Sequence, residues 1–205
     1  PAQGAKAKKR MARAKDTLEK TQRKIRQKEA LLQDLETAAP LKLTPLPWRG
    51  GRLMLLHQVQ LFYGTEPVCR PLDLELCPGD RVAVVGANGS GKSTLLKLLQ
   101  GQSIQREGLF RCSPELKVSY LPQDCSGLSG FPEDLAEQWG IDKTKFFTLL
   151  KKLDLTPDTW QRPMEGYSLG QKKKVMLAAS LCENAHLYLW DEPLNYIDLW
   201  SRMQI

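Results

Sequence analysis

The stretch Gly86-Ala87-Asn88-Gly89-Ser90-Gly91-Lys92-Ser93 fits the pattern G-x-x-x-x-G-K-[ST] without a mismatch. Arg81-Val82-Ala83-Val84-Val85 ahead of it is short, apolar and β-branched, which predicts a buried strand. Thr94-Leu95-Leu96-Lys97-Leu98-Leu99 behind it holds helix formers and meets no breaker before Gly101, which predicts a helix. Strand, glycine loop and helix in that order let backbone N–H groups converge on phosphate oxygens at a helix N-terminus. The glycines permit the positive φ angles and the close backbone approach that such a loop needs. Lys92 is placed to reach the outer phosphates, and the Ser93 hydroxyl to ligate Mg²⁺. The expectation is a nucleoside triphosphate site built from Gly86, Asn88, Gly89, Ser90, Gly91, Lys92, Ser93 and Thr94.

Two further stretches extend that site. Leu187-Tyr188-Leu189-Trp190-Asp191-Glu192 is an apolar run ending in two carboxylates. A carboxylate at the C-terminal tip of a buried strand beside the phosphate strand can hold the Mg²⁺ shell, and Asp191 is assigned that task. Glu192 next to it can orient and deprotonate an attacking water. Tyr167-Ser168-Leu169-Gly170-Gln171-Lys172-Lys173-Lys174 opens a second predicted helix, Leu169 to Glu183. Ser168 and Gly170 at its start offer a hydroxyl and free backbone N–H groups at a positive helix end. The chain already owns a phosphate loop, so this second anion site serves a nucleotide held by another domain. Taken alone, the same residues also read as an ordinary Ser N-cap.

Elsewhere the pattern is mixed. Residues 4 to 38 contain no proline and no glycine after Gly4, and read as one long helix. Met11, Leu18, Ile25 and Leu32 recur every seven residues, with Ala14, Thr21, Lys28 and Leu35 at the second heptad position. That narrow stripe suits a coiled coil or helical hairpin, while Thr21 and Lys28 leave open a solvated helix laced with salt bridges. Ala39-Pro40 to Pro47 is a proline-rich linker or extended arm. Arg52 to Phe62 and Val68 to Leu76 have strand composition, as do Gly108 to Cys112 and Leu116 to Tyr120. Residues 131 to 153 read as helical, with Pro132 near a helix start and Asp142 as an N-cap, and Ile197 onward as helical again. Strands alternating with helices around a phosphate loop predict an α/β core with parallel strands, preceded by an antiparallel piece. The organisation expected is a basic helical arm over 1–39, a connector over 40–51 and a nucleotide-binding domain over 52–205.

The charge is unevenly spread. Of a net +7, residues 1 to 36 hold eleven basic against five acidic residues, and the remainder nineteen against eighteen. The basic arm is therefore the candidate for contact with a polyanion. No run approaches the length of a transmembrane helix, and no signal peptide opens the chain. Cys69, Cys77, Cys112, Cys125 and Cys182 show no C-x-x-C spacing and read as reduced thiols of a cytoplasmic protein. His57 and His186 are isolated and read as structural. Pro1 in place of an initiating Met, and an end at Ile205 inside a helical pattern, are expected of a piece of a longer protein.

The order of phosphate loop, glutamine after a strand, Ser-x-Gly-Gln and strand-Asp-Glu resembles the nucleotide-binding domain of ATP-binding cassette (ABC) proteins, over about residues 52 to 205. The resemblance implies a P-loop NTPase fold of ABC type. Such a fold has a parallel-sheet core, an antiparallel β-subdomain and an α-helical subdomain, and here a long basic helix precedes it. It implies that Tyr63, with Phe62 as the fallback, stacks on adenine. Gln123, in Tyr120-Leu121-Pro122-Gln123, matches the glutamine that senses Mg²⁺ and the γ-phosphate, so Ser93, Gln123 and Asp191 form the metal set. Ser168-Leu169-Gly170-Gln171 matches the family signature that contacts ATP in a partner cassette, with Leu169 replacing its first glycine. Asp198 closes the segment that crosses the dimer interface.

Glu192-Pro193-Leu194-Asn195-Tyr196-Ile197-Asp198 further resembles the corresponding pattern of ABC-F proteins, whose two cassettes are joined by a helical hairpin and act on ribosomes. The wording is most similar to the second cassette of members that protect bacterial ribosomes from antibiotics. On this resemblance the basic arm faces ribosomal RNA or tRNA, the cofactors are ATP and Mg²⁺, and nothing inserts into a membrane. A second cassette completes the site, so this stretch by itself is expected to hydrolyse ATP weakly or not at all. Three other functions compete: a housekeeping ABC-F translation factor without a resistance role, the motor domain of a membrane transporter, and an ATP-gated RNA clamp in which hydrolysis only slowly releases the grip.

Overall fold

In the computed structural model, Leu41 and residues 43–198 are described. The predicted basic arm, and the helix expected beyond Ile197, lie outside the described residues.

The antiparallel piece comes first. Strand β1 (Met54–Tyr63) is bonded on one side by β3 (Leu72–Leu76) and on the other by β4 (Arg106–Cys112), with the short β2 (Glu66–Pro67) closing a hairpin at its end. Its buried residues are Met54 and Leu56, then Val59 and Leu61, so the alternation changes parity midway. A strand with a strict period of two would turn one half of that set to solvent. A bulge prevents it: both ladders shift register at this point, and Gln58 adopts φ 49°. Asp73 accepts the Gln58 N–H at 2.8 Å, so the extra residue keeps a partner. Gly108 lies so close on β4 that a Cβ there would meet the Gln58 carbonyl oxygen at 2.1 Å. Only glycine fits beside the bulge.

Helix α1 (Lys92–Leu99) follows the phosphate loop and buries Leu95, Leu96, Leu98 and Leu99. These join the inner face of β1 and Leu189 in one core. A parallel pair, β5 (Val118–Leu121) with β6 (Leu187–Trp190), runs in register from Val118 opposite Leu187 to Leu121 opposite Trp190. Between these strands the chain forms a helical region: α2 (Pro132–Gln138), α3 (Lys143–Lys152), the single turn α4 (Pro157–Trp160) and α5 (Leu169–Cys182). Pro132 opens α2, and Asp142 caps α3 by accepting the Lys145 N–H at 2.7 Å, as read from sequence. Gly140, at φ 61°, breaks the predicted 131–153 helix into these two. Every residue of α5 from Lys172 to Cys182 is buried, so this helix is the axis of a second core that includes Phe146, Leu150, Leu153 and Met164.

The structure departs from the sequence reading at Arg81–Val85. Among the described residues this run pairs with no strand, and Val82, Val84 and Val85 are 54%, 37% and 86% exposed. A parallel strand is buried by ladder neighbours on its edges and helices on its faces. The strands β5 and β6 bond to each other and neither bonds to this run. Apolar composition therefore marked a segment suited to burial without supplying its neighbours. The proline-rich connector, by contrast, is an arm that docks. The Leu46 N–H donates to the Ala185 carbonyl at 2.8 Å, the Trp48 ring stands edge-on to His186 at 5.0 Å, and Leu41 packs against the second core. His186 is structural, as expected, its Nδ1 accepting the Lys117 N–H at 2.9 Å. All five cysteines are free thiols.

Candidate active site

The phosphate loop is shaped by three backbone features. Gly89 and Gly91 adopt φ 79° and 87°, which a residue with a Cβ rarely does. The Ser90 N–H closes a turn on the Ala87 carbonyl at 3.2 Å. A Cβ on Gly86 would meet Ser90 Oγ at 2.7 Å. The chain then enters α1 directly at Lys92, with Gly91 at the N-cap and no side-chain cap. The first-turn N–H groups are therefore left for an anion. Lys92 Nζ arches back over the loop and donates to the Gly86 and Ala87 carbonyls at 3.0 and 2.9 Å. These are weak partners for an ammonium, and phosphate oxygens would displace them. Asn88, Gly89 and Ser90 line the exposed rim, while Ser93 and Thr94 sit half-buried in the first turn of α1. Tyr63, at the end of β1, is 84% exposed, so its ring face is open for stacking.

A second group of residues meets at the C-terminal ends of β5 and β6. Gln123 Nε2 donates to Glu192 Oε2 at 2.9 Å, and the Asn195 amide donates to the same oxygen. Glu192 is held at φ 47°, an uncommon backbone conformation for a residue with a side chain. Asp191 is only 4% exposed, and its N–H continues the ladder to the Leu121 carbonyl at 2.9 Å. Its carboxylate has no hydrogen-bond partner among the described residues. A buried carboxylate without a donor is costly, and a divalent cation relieves that cost. The donor set thus suits Mg²⁺, which takes one or two protein oxygens and completes its shell from waters and phosphates. The nearby Tyr120 phenol is pushed above its ordinary value, first by burial and then by the Asp191 charge.

The third group is the start of α5. Ser168 Oγ accepts the Gln171 N–H at 3.2 Å, while Gln171 Oε1 accepts the Ser168 N–H at 2.9 Å, a reciprocal capping box. Ser168 is exposed, and Leu169, which stands where the family signature has glycine, points outward at 47% exposure. Gly170 is dictated by close packing: a Cβ there would lie 2.4 Å from the Tyr196 carbonyl oxygen. We expect Gly170→Ala to push the 194–198 segment off the helix start. The substitution should cost about 1–3 kcal/mol by overpacking, seen as a lowered melting temperature. An unchanged melting temperature would show that Tyr196 yields freely. Asp198, at the end of that segment, pairs with Lys174 Nζ at 2.5 Å.

Apart from Tyr63 at the end of β1 and Asp198 paired with Lys174, the sequence-predicted residues fall into three places. Gln123, Asp191 and Glu192 come together, Lys92 and Ser93 sit on the phosphate loop, and Ser168 to Gln171 form the helix start. Two participants carry no individual role in the sequence reading. Asn195 stands there only within the Leu194–Asp198 motif, although an amide three residues after Glu192 across a turn is within reach of its carboxylate. Lys173 belongs to the stretch that opens α5 and carries no role in the sequence reading, yet it is 1% exposed. Burial of the Lys173 ammonium, offset by attraction from neighbouring anions including Asp191 and Glu192, pulls its pKa below the ordinary lysine range.

Comparison with known proteins places these groups in context. A family model described as ABC transporter matches residues 69–195. The ribosome protection protein VmlR of Bacillus subtilis is 31% identical over 159 residues, which is 76% of this chain and 29% of that protein. ABC transporter F family member 4 of Arabidopsis thaliana is 32% identical over 173 residues, 79% of this chain and 23% of that protein. The zinc import ATP-binding protein ZnuC of Pseudomonas putida is 27% identical over 157 residues, 75% of this chain and 61% of that protein. The chain thus spans under a third of the length of the first two of these and under two thirds of the last.

Proposed function

This chain belongs to the ABC transporter family as an ATP-binding domain of mixed α/β fold, and we propose that it is a hydrolysing cassette of an ABC-F protein that works on the ribosome. The observation that carries the hydrolytic part is the Gln123–Glu192 contact beside the buried Asp191. Glu192 Oε2 is occupied by the Gln123 and Asn195 amides, which leaves Oε1 to face an attacking water. Glu192 takes one proton from that water as its oxygen bonds to the γ-phosphorus. The bond from phosphorus to the bridging oxygen breaks, and ADP leaves with the electron pair. Gly86 to Thr94 hold the phosphates, Lys92 donates to their outer oxygens, and Tyr63 stacks on the base. Ser93, Gln123 and Asp191 would hold Mg²⁺, which when bound neutralises phosphate charge. Ser168 and the first N–H groups of α5 would meet the triphosphate of a second cassette, and Asp198 would lie at that interface.

The ribosomal part is supported by similarity to a ribosome protection protein and by the strongly basic residues 1 to 36, suited to RNA phosphates. On this reading the protein is cytoplasmic and its partners are a second cassette and the ribosome. An antibiotic-protection role is the finer form of the proposal. No helix among the described residues is long and apolar enough to cross a membrane. A second reading, the motor subunit of a transporter, is favoured by the similarity to a zinc import ATP-binding protein. Sedimentation of the protein as encoded separates the two. We expect it to travel with ribosomes in the presence of ATP and to leave them after RNase treatment. Recovery with membranes, insensitive to RNase, would overturn the ribosomal reading.

A further inference from the structure

The lysine run after Gln171 is not a solvated face. Lys172, Lys173 and Lys174 are 6%, 1% and 8% exposed, and each ammonium has a different destination. Lys172 Nζ donates to the Ser126 and Leu128 carbonyls at 2.6 and 3.1 Å. Lys174 pairs with Asp198. Lys173 Nζ donates to the Pro122 carbonyl at 2.7 Å, to the Asp191 carbonyl at 3.0 Å and to the Gln123 carbonyl at 3.3 Å. An ammonium has three protons, and here three carbonyls accept them. Two of those carbonyls belong to the loop leaving β5, and the third belongs to the first residue after β6. One side chain therefore ties together the backbones that carry Gln123 and the Asp191–Glu192 pair, which the Gln123–Glu192 hydrogen bond also links at the side-chain level.

The same lysine sits near the start of α5, whose positive end disfavours a buried cation. Burial adds a desolvation cost to that. A methionine of similar length would fill the slot without either penalty. What the methionine lacks is the three-point clamp. We propose that Lys173 is a positioning residue for ATP hydrolysis, fixing the backbones of Gln123 and Asp191–Glu192 so that the Gln123 amide and the Glu192 carboxylate keep their register. The inference rests on the hydrolytic reading given above. Lys173 lies buried on α5, whereas the phosphate-loop helix, which with Lys92 and Tyr63 carries most of the nucleotide contacts on that reading, belongs to the other core, so loss of the clamp falls mainly on turnover.

The test is ATP hydrolysis by the protein as encoded, with Lys173→Met, Glu192→Gln and the double variant measured side by side. We expect Lys173→Met to lower kcat tenfold or more while the KM for ATP stays within twofold. In the Glu192→Gln background the same substitution should remove little further activity, because its effect runs through Glu192. An unchanged kcat would overturn the proposal, as would a KM that rises in step with the loss of kcat or an equal loss in both backgrounds. If Lys173→Met fails to fold, Lys173→Gln is held to the same criteria. Lys172→Met removes an equally buried ammonium whose carbonyls lie farther along the loop, and it should keep more than half of kcat. Full activity in Glu192→Gln alone would show that the hydrolytic reading, and not the clamp, is at fault.

Discussion

Replacing Glu192 by Gln is expected to slow ATP hydrolysis by about 10²–10⁴-fold, the range over which a positioned general base contributes. The substitution keeps the shape of the side chain and its oxygen, so the Gln123 and Asn195 amides retain an acceptor. It removes the negative charge and the capacity to take a proton from water. The phosphate loop, α1 and Tyr63 are untouched, and ATP affinity should stay within a few-fold of the parent. Stopped-flow or filter-based phosphate release, read together with nucleotide binding, separates the two effects. A variant that hydrolyses ATP at more than a tenth of the parent rate would show that Glu192 is not the base. It would leave Asp191 and Gln123 to orient a water that needs no carboxylate next to it.

The second large effect is expected at Lys92. Its ammonium has only the Gly86 and Ala87 carbonyls to donate to in the loop, and both are neutral acceptors. Hydrogen bonds to charged phosphate oxygens contribute about 1.5–3 kcal/mol each, so exchanging the carbonyls for phosphates is downhill. Lys92→Ala removes that gain, and the affinity for ATP should fall by roughly 10- to 100-fold. Folding stability should change little, because the ammonium is not part of either core and α1 keeps its four buried leucines. Titration with a fluorescent ATP analogue reads the loss directly. Equal binding by Lys92→Ala and the parent would move the triphosphate site away from residues 86–93.

The parts of this molecule that were legible in the sequence are those where local chemistry decides the conformation. Gly89 and Gly91 sit at the positive φ angles that a phosphate loop demands, and Asp142 and Ser168 cap the helices they precede. The run Leu187–Trp190 is a strand with its carboxylates at the tip, as its composition indicated. What was not legible depends on partners distant in sequence. Arg81–Val85 has the composition of a buried strand, but composition does not say which strand lies beside it, and none of the described strands does. The parity change in β1 is resolved by a bulge whose space comes from Gly108, fifty residues away. The burial of Lys172 to Lys174 could not be read from sequence because their acceptors lie far along the chain: carbonyls on the loop after β5 and beyond β6, and the Asp198 carboxylate. For the same reason the sequence shows the site as motifs in order, whereas the contact linking Gln123 to Asp191 through Lys173 exists only in the folded chain.

The central claim is that ATP held at Lys92 and Ser93, and hydrolysed through Glu192, controls a grip on the ribosome. The most direct test is co-sedimentation of Glu192→Gln with purified ribosomes in ATP and in ADP. The account predicts that the variant accumulates in the ribosomal pellet with ATP, several-fold above the parent protein, and is released when ADP replaces it. Equal recovery in ATP and ADP, or no recovery in either, would contradict it.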